Sequence, residues 1–436
     1  MIDLFSLIVS TISFAAAPVP VIPVPIIQLG DFDNNGSQDV RITTGSGNQI
    51  IDISDDEVSG VRVSVDLNAD GDFTDTLEIN NQIIGFVDTV SIVTGVGNDV
   101  VTVSLGNEGY FGMSRKYIVD LGTGNDSFTF NDDFGTITNS TAALEAYGGT
   151  GNDTLAANFD ATTNSDVSIR FDGGTGNDNV NITADSTLST SSLDARAILG
   201  AGTNAFKLLV AGQLTGTPSS IICNVDGGKN DDTALFQLTN NINERCFVVL
   251  NASLGLGNDT ARCELNTGIF DLSNSGNSIS AGQLAVDFRG EDGNDTLAVT
   301  REFNGVPSGT GCQLDGPLDI HMSGGIGKDT LIVDFGGSNT LITSITTSTR
   351  RGLFATLDGG DGDDTFNFQL ADAASFTGNY RATLFGGLGN DIFNPITIVT
   401  AGAPVYEAGP IDIDGGLGTD TATTSGNGTL RLRHIE

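Results

Sequence analysis

The chain has 436 residues, with 55 Asp or Glu against 18 Lys or Arg and a formal charge of -37. A field of that sign argues against nucleic acid and anionic membrane as partners. Apolar residues make up 38% and glycine occupies 58 positions without the three-residue period of collagen, so a folded core is expected rather than a fibrous or disordered chain.

Residues 1–17 carry the apolar run LFSLIVSTISFAAA. It reads as a secretory signal cut after Ala17, or, since no basic residue precedes it, as an apolar N-terminal segment. The run is too short for a membrane span and no later stretch qualifies, so no transmembrane span is expected. Residues 18–29 form a proline-rich extended arm, with PVPVIPVP from Pro18 to Pro25. Residues 30–80 read as an N-terminal cap and first coils. Within them Asp31, Asp33 and Asn35 alternate ahead of Gly36 and Asp39, the first half of an EF-hand-type calcium loop without its late glutamate. Asp66, Asn68 and Asp70 ahead of Gly71 repeat that arrangement. Asx-rich turns are the alternative at both places.

Residues 81–424 are dominated by a returning glycine-rich loop. It reads GGTGNDTL at Gly148–Leu155, GGTGNDNV at Gly173–Val180 and GGLGNDIF at Gly386–Phe393. Its last Asp marks each copy: Asp99, Asp126, Asp153, Asp178, Asp232, Asp259, Asp295, Asp329, Asp364, Asp391 and Asp420. Weaker copies end at Gln49, Asp75 and Asn204. From residue 49 the spacings are 26, 24, 27, 27, 25, 26, 28, 27, 36, 34, 35, 27 and 29. A period in that range predicts a solenoid. Positions 2, 4 and 6 after the marker are mostly apolar, as in Phe366, Phe368 and Leu370. So are positions 7, 9 and 11 before it, as in Phe171, Ile169 and Val167. Period two places each set on one face of a strand, and stacked coils merge those faces into a core. The expected fold is all-β, a parallel β-helix or β-roll-like solenoid of roughly 13–14 coils. Thirteen steps of about 4.8 Å give a rod of roughly 62 Å. Residues 425–436, ending in LRLRHIE, are a C-terminal cap or tail.

The loop resembles the hemolysin-type, RTX-like calcium-binding repeat, through G-G-x-G-N-D-x-hydrophobic over about residues 90 to 424. That family uses two loops per 18-residue coil, whereas this chain has one per coil of about 27. The resemblance therefore implies the loop chemistry and a parallel roll or helix, without calcium down both edges. On the residues alone, glycines permit positive φ and inward carbonyls, and the terminal Asp adds a carboxylate. Two stacked loops would be needed to complete a shell of six to eight oxygens around each of several Ca2+ ions. Asp172, Asp226, Asp358 and Asp414, just before their Gly-Gly pairs, are expected to add ligands or acceptors. The Asn before the marker is expected to bond its own backbone. A hydrogen-bonded ladder without metal is the competing reading of the same loops.

Cys223, Cys246 and Cys263 share the core-facing phase, and Cys312 makes a fourth cysteine. They read as inert thiols or as disulfide partners. His321 alternates with Ile320 and Met322 and needs no chemistry. No Ser/His/Asp arrangement, zinc spacing or phosphate loop is visible, so no catalytic residue is assigned. Arg350, Arg351 and the Arg301–Glu302 pair are the basic groups worth noting on the long coils. The expected protein is a secreted or cell-surface calcium-binding structural rod, a filament, surface-layer or adhesin component. It would self-associate through its ends or N-terminal arm, with a surface glycan as a further candidate partner. An extracellular polysaccharide-active enzyme or carbohydrate-binding module is the alternative.

Overall fold

The computed structural model describes residues 25–436 apart from 57–58, 76, 107–109, 133–135, 217, 244, 266–281, 304–305, 308–315, 337–351, 371–378, 400–410 and 427. The apolar run, most of the proline-rich arm, Cys312, Arg350 and Arg351 lie outside those residues.

The described chain is strands, turns and loops, and no helix in it is long and apolar enough to cross a membrane. Each coil sends an inbound strand into the glycine-rich turn and an outbound strand away from it. Thr141–Thr150 and Thr154–Phe159 flank the turn at Asp153, and Asp166–Thr175 and Asn179–Ala184 flank the next. Like strands pair with like in parallel, with Leu144 opposite Ile169 and Leu155 opposite Val180. The result is one fifteen-stranded inbound sheet and one fifteen-stranded outbound sheet. Thirteen described coils contribute to both sheets, and Leu430–Arg433 adds a last inbound strand. The solenoid and its coil number are as the period predicts.

Alternation explains the core. Thr154–Phe159 buries every second side chain, and Asp166–Thr175 does the same on the facing sheet. Phe128, Phe171, Phe206, Phe236, Phe288, Phe366 and Phe368 are buried between the sheets. Phe206, Phe236 and Phe288 make a run of ring contacts at 5.5 and 5.4 Å, and Phe366 stacks on Phe393 at 4.5 Å. Each such side chain contributes about 1.5–3 kcal/mol on burial. Cys223, Cys246 and Cys263 are buried in this core, and among the described residues no disulfide joins any two of them. A third sheet of five short strands, from Tyr110–Phe111 to Leu214–Thr215, gives the early coils a third wall.

The N-terminal end departs from the expected plan. Strand β1 (Ile26–Gly30) runs antiparallel on β2 (Asp39–Thr43), the first inbound strand. On the other sheet β3 (Ile50–Asp56) is followed by an antiparallel pair, β4 (Gly60–Asp66) and β5 (Ile79–Gly85). Strands β6 (Thr89–Val96) and β7 (Val100–Leu105) stack directly on β2 and β3. Asp75 is therefore not a rung: it lies in the loop between β4 and β5. The spacings of 26 and 24 are one coil with an inserted hairpin. The hairpin covers the end of the core, burying Val61, Val63 and Val65 completely. Marker 49 to marker 420 is then twelve steps, about 58 Å.

An ionic cluster stiffens this end. Arg115 pairs with Asp55 at 2.7 Å, Tyr117 donates to the same carboxylate at 2.6 Å, and all three are at most 4% exposed. At the far end Leu430–Arg433 pairs in parallel with the last inbound coil strand, Ile411–Leu417. The outbound sheet ends on Thr421–Gly426, largely exposed.

Candidate metal centre

The turn is built by its glycines. Gly151 has φ +131°, and a Cβ on it would lie 1.5 Å from the Gly124 carbonyl oxygen of the preceding coil. Only a residue without Cβ permits that approach. Gly148, the first of its pair, faces the marker: a Cβ there would meet Asp153 Oδ2 at 2.6 Å. The marker side chain is thus folded into its own turn.

The markers form a column. The N–H of Asp126 donates to Asp153 Oδ1 at 2.8 Å, and that of Asp153 to Asp178 Oδ1 at 2.8 Å. The same bond joins every neighbour from Gln49 to Asp420, at 2.6–2.9 Å. All eleven aspartates are at most 3% exposed. On the outside a second ladder runs in the opposite sense. Asn125 N–H donates back to Asn98 Oδ1, and Asn152 N–H to Asn125 Oδ1, both at 2.8 Å. The Asn therefore bonds the neighbouring coil's backbone, not its own as expected. Asp231 and Asp363 take the acceptor place in two coils.

Every marker aspartate leaves Oδ2 buried without a hydrogen bond. The other rungs show what that oxygen faces. Asn204 Nδ2 donates to the Gly202 carbonyl at 3.0 Å, and Gln49 Nε2 to the Gly47 carbonyl at 2.6 Å. At the other corner of the coil, Ser140, Ser165 and Ser191 build a similar column. There Ser140 N–H donates to Ser165 Oγ at 3.1 Å, and each hydroxyl donates to the carbonyl two residues back at 2.8–2.9 Å. Wherever the side chain owns a hydrogen, it bridges to that carbonyl. A carboxylate owns none, so the marker aspartates cannot make that bond.

The electrostatics follow. Burial first, then neighbouring carboxylates, push Asp126, Asp259 and Asp364 up to about 7, against the pull of the backbone N–H bonds. Asp178, Asp232, Asp295 and Asp391 rise to about 6, chiefly through burial. Asp99, Asp153 and Asp329 move the same way for the same first reason.

The donor set fits a hard cation: an unbonded carboxylate oxygen in each of eleven turns, beside glycine carbonyls, repeating at strand spacing. The flanking acids are placed elsewhere. Asp172, Asp226, Asp358 and Asp414 fall on the outward face of the inbound sheet. Asp226 is bonded to Arg196 at 2.8 Å and Asp414 to His434 at 2.6 Å. Burial raises Asp358, with His321 opposing, and Asp172 reaches the column through its field on Asp178.

The two N-terminal loops differ. Asp31, Asp33 and Asp39 bring carboxylate oxygens within 4.8 Å of one another, whereas Asn35 turns its amide onto Asp33. The loop of Asp66, Asn68 and Asp70 is organised by its own hydrogen bonds. The Asp66 carboxylate accepts N–H bonds from Asn68, Ala69 and Gly71 at 2.7–3.0 Å, and Asn68 donates to Asp75. Glu78 closes this loop, accepting from Leu67 and Asp75 N–H. An acid twelve residues after Asp66 was the available signal for it.

No family model matches this chain, and neither does any curated protein or solved structure. The likeness to RTX repeats rests on the turn residues alone.

Outside the turns, the long coils carry an open trough of about 500 Å³ on the inbound sheet, lined by Asp287, Asp319, His321, Phe354 and Arg381 among others. Burial raises Asp319. Burial would also raise Asp287, but hydrogen bonds from Arg289 and His321 outweigh it and lower it.

Proposed function

We propose that this chain is a secreted or cell-surface structural rod whose stacked turns are neutralised and tightened by Ca2+. The observation that supports it is the column of eleven buried Oδ2 atoms without hydrogen-bond partners, in a column where the Asn204 and Gln49 rungs put an amide hydrogen instead. An unsatisfied buried polar group costs about 1–3 kcal/mol, more when charged. Eleven of them favour any cation that binds the folded form, and such binding adds to folding free energy. The aspartates would supply the carboxylate oxygens and the glycine turns the carbonyl oxygens. Melting by far-ultraviolet circular dichroism, with calcium and with chelator at pH 8, tests this. The expected outcome is a large loss of melting temperature on chelation. An unchanged melt, with no calcium retained after dialysis, would sink it.

Self-association through the ends extends this reading. Among the described residues the outbound sheet ends in β5 on one side and Thr421–Gly426 on the other, and each leaves a strand edge unpaired. A head-to-tail contact of that kind propagates into a filament. Electron microscopy with calcium checks it, filaments being expected and isolated particles at every concentration counting against it.

The trough on the long coils favours a second reading, glycan contact. A carbohydrate array with Arg381→Ala as the comparison separates an adhesin from a bare scaffold. Product release from acidic polysaccharides would point instead to the enzyme class.

A further inference from the structure

The acidic loop ahead of the first coil is closed in space by a residue far along the sequence. Asp39 is 1% exposed. Its Oδ2 accepts the Phe32 N–H at 2.6 Å, while its Oδ1 is buried without a hydrogen bond. That carboxylate lies within 4.8 Å of oxygens of Asp31 and Asp33. Asp88, in the segment leading into β6, faces the same place. Its N–H donates to the Gln38 carbonyl at 3.0 Å, which fixes it beside the loop. Its Oδ2 accepts from Asn35 Nδ2 at 2.7 Å, and its Oδ1 is again buried without a hydrogen bond.

Asn35 is the clamp of this arrangement. Its amide nitrogen bridges Asp33 and Asp88 at 2.9 and 2.7 Å, and its carbonyl oxygen accepts the Ser37 N–H. Asp31 is held by the N–H groups of Asn35 and Gly36 at 3.1 and 3.0 Å. The nearest basic residue in sequence, Arg41, stacks over the Phe32 ring at 4.5 Å and makes no ion pair with any of the four acids among the described residues. Three carboxylates thus converge, and Asp88 stands against Asp39 and is tied to Asp33 through the Asn35 amide.

We propose that Asp31, Asp33, Asp39 and Asp88 form one divalent-cation site, separate from the column of turns, that fastens the cap to the first and second coils. Oxygen ligands alone select a hard ion, and a cluster of this charge and number suits Ca2+. Asp31 and Asp33 follow β1, Asp39 opens β2 and Asp88 precedes β6. One ion therefore ties the loop between β1 and β2 to a segment that the chain reaches only after residues 40–87, including the hairpin β4–β5. The site is independent of the turns: it can hold if they bind nothing, and fail if they bind well.

Native mass spectrometry of the full chain in calcium, with hydrogen exchange read at β1, tests it. Asp88→Asn and Asp33→Asn are each expected to remove one bound calcium. The affinity of that class should fall by at least the roughly tenfold seen on losing an outer partner of a metal ligand. Exchange at Ile27 and Leu29 should quicken in both variants while Phe128 and Phe130 stay protected. Asp33 is exposed, so that variant reports even where Asp88→Asn disturbs folding. Unchanged calcium count and unchanged protection of β1 in both variants would overturn the site. A wild-type chain that binds a single equivalent, lost in both variants, would sustain it while removing calcium from the turns.

Discussion

A rung aspartate is a buried acid that lacks a counter-charge, and its behaviour with pH follows. In the folded chain without metal, Asp126, Asp259 and Asp364 titrate near 7, raised by burial above the usual carboxylate value. The folded state then binds more protons than the unfolded chain between about pH 4 and 7, so stability falls as pH rises through that window. In chelator the melting temperature should be higher at pH 5 than at pH 8, and calcium should close the gap at pH 8 by taking the proton's place. Asp153→Asn sharpens the point. The new amide would donate to the Gly151 carbonyl as Asn204 donates to Gly202. The variant should gain about 1–3 kcal/mol in chelator at pH 8. It should lose that advantage in calcium, and denaturant melts of both forms check the crossing. The markers were legible because one acid recurred in constant phase. The outward asparagine ladder was not, since an amide bonding its own turn and one bonding the next coil have the same spelling. Asp88 was hidden by the 48 residues, 40–87, between it and Asp39.

At the level of the element, strand phase came through clearly because period two survives in nearly every coil, as in the fully alternating burial of Thr365–Leu370. The hairpin β4–β5 did not. Its strands alternate like coil strands, and GDFTDTL imitates the turn, so only pairing direction separates them. Turn and strand differ in what they tolerate. Gly151→Ala would push a methyl onto a backbone oxygen at a positive φ, costing at least about 1–3 kcal/mol. Local hydrogen exchange should show the loss in the coils marked by Asp126 and Asp153, with distant coils unaffected. Arg115→Met takes the guanidinium away from the buried Asp55 carboxylate. Removing one partner of such a pair costs about 3–5 kcal/mol. The N-terminal coils should therefore open first in a protease digest of that variant.

Over the whole molecule, the bonds that matter connect each coil to the one before and the one after. Stability in such an array is close to a sum of coil and interface contributions. The two ladders run in opposite senses, yet each rung is answered by an equivalent group one step away. Nothing in the middle of the stack knows how many steps lie above or below it. An in-frame loss or duplication of one complete coil, for example the stretch from Thr154 through Asp178, leaves a rung opposite a rung. Reach is thus a quantity that heredity can adjust in increments of about 4.8 Å without redesigning either end.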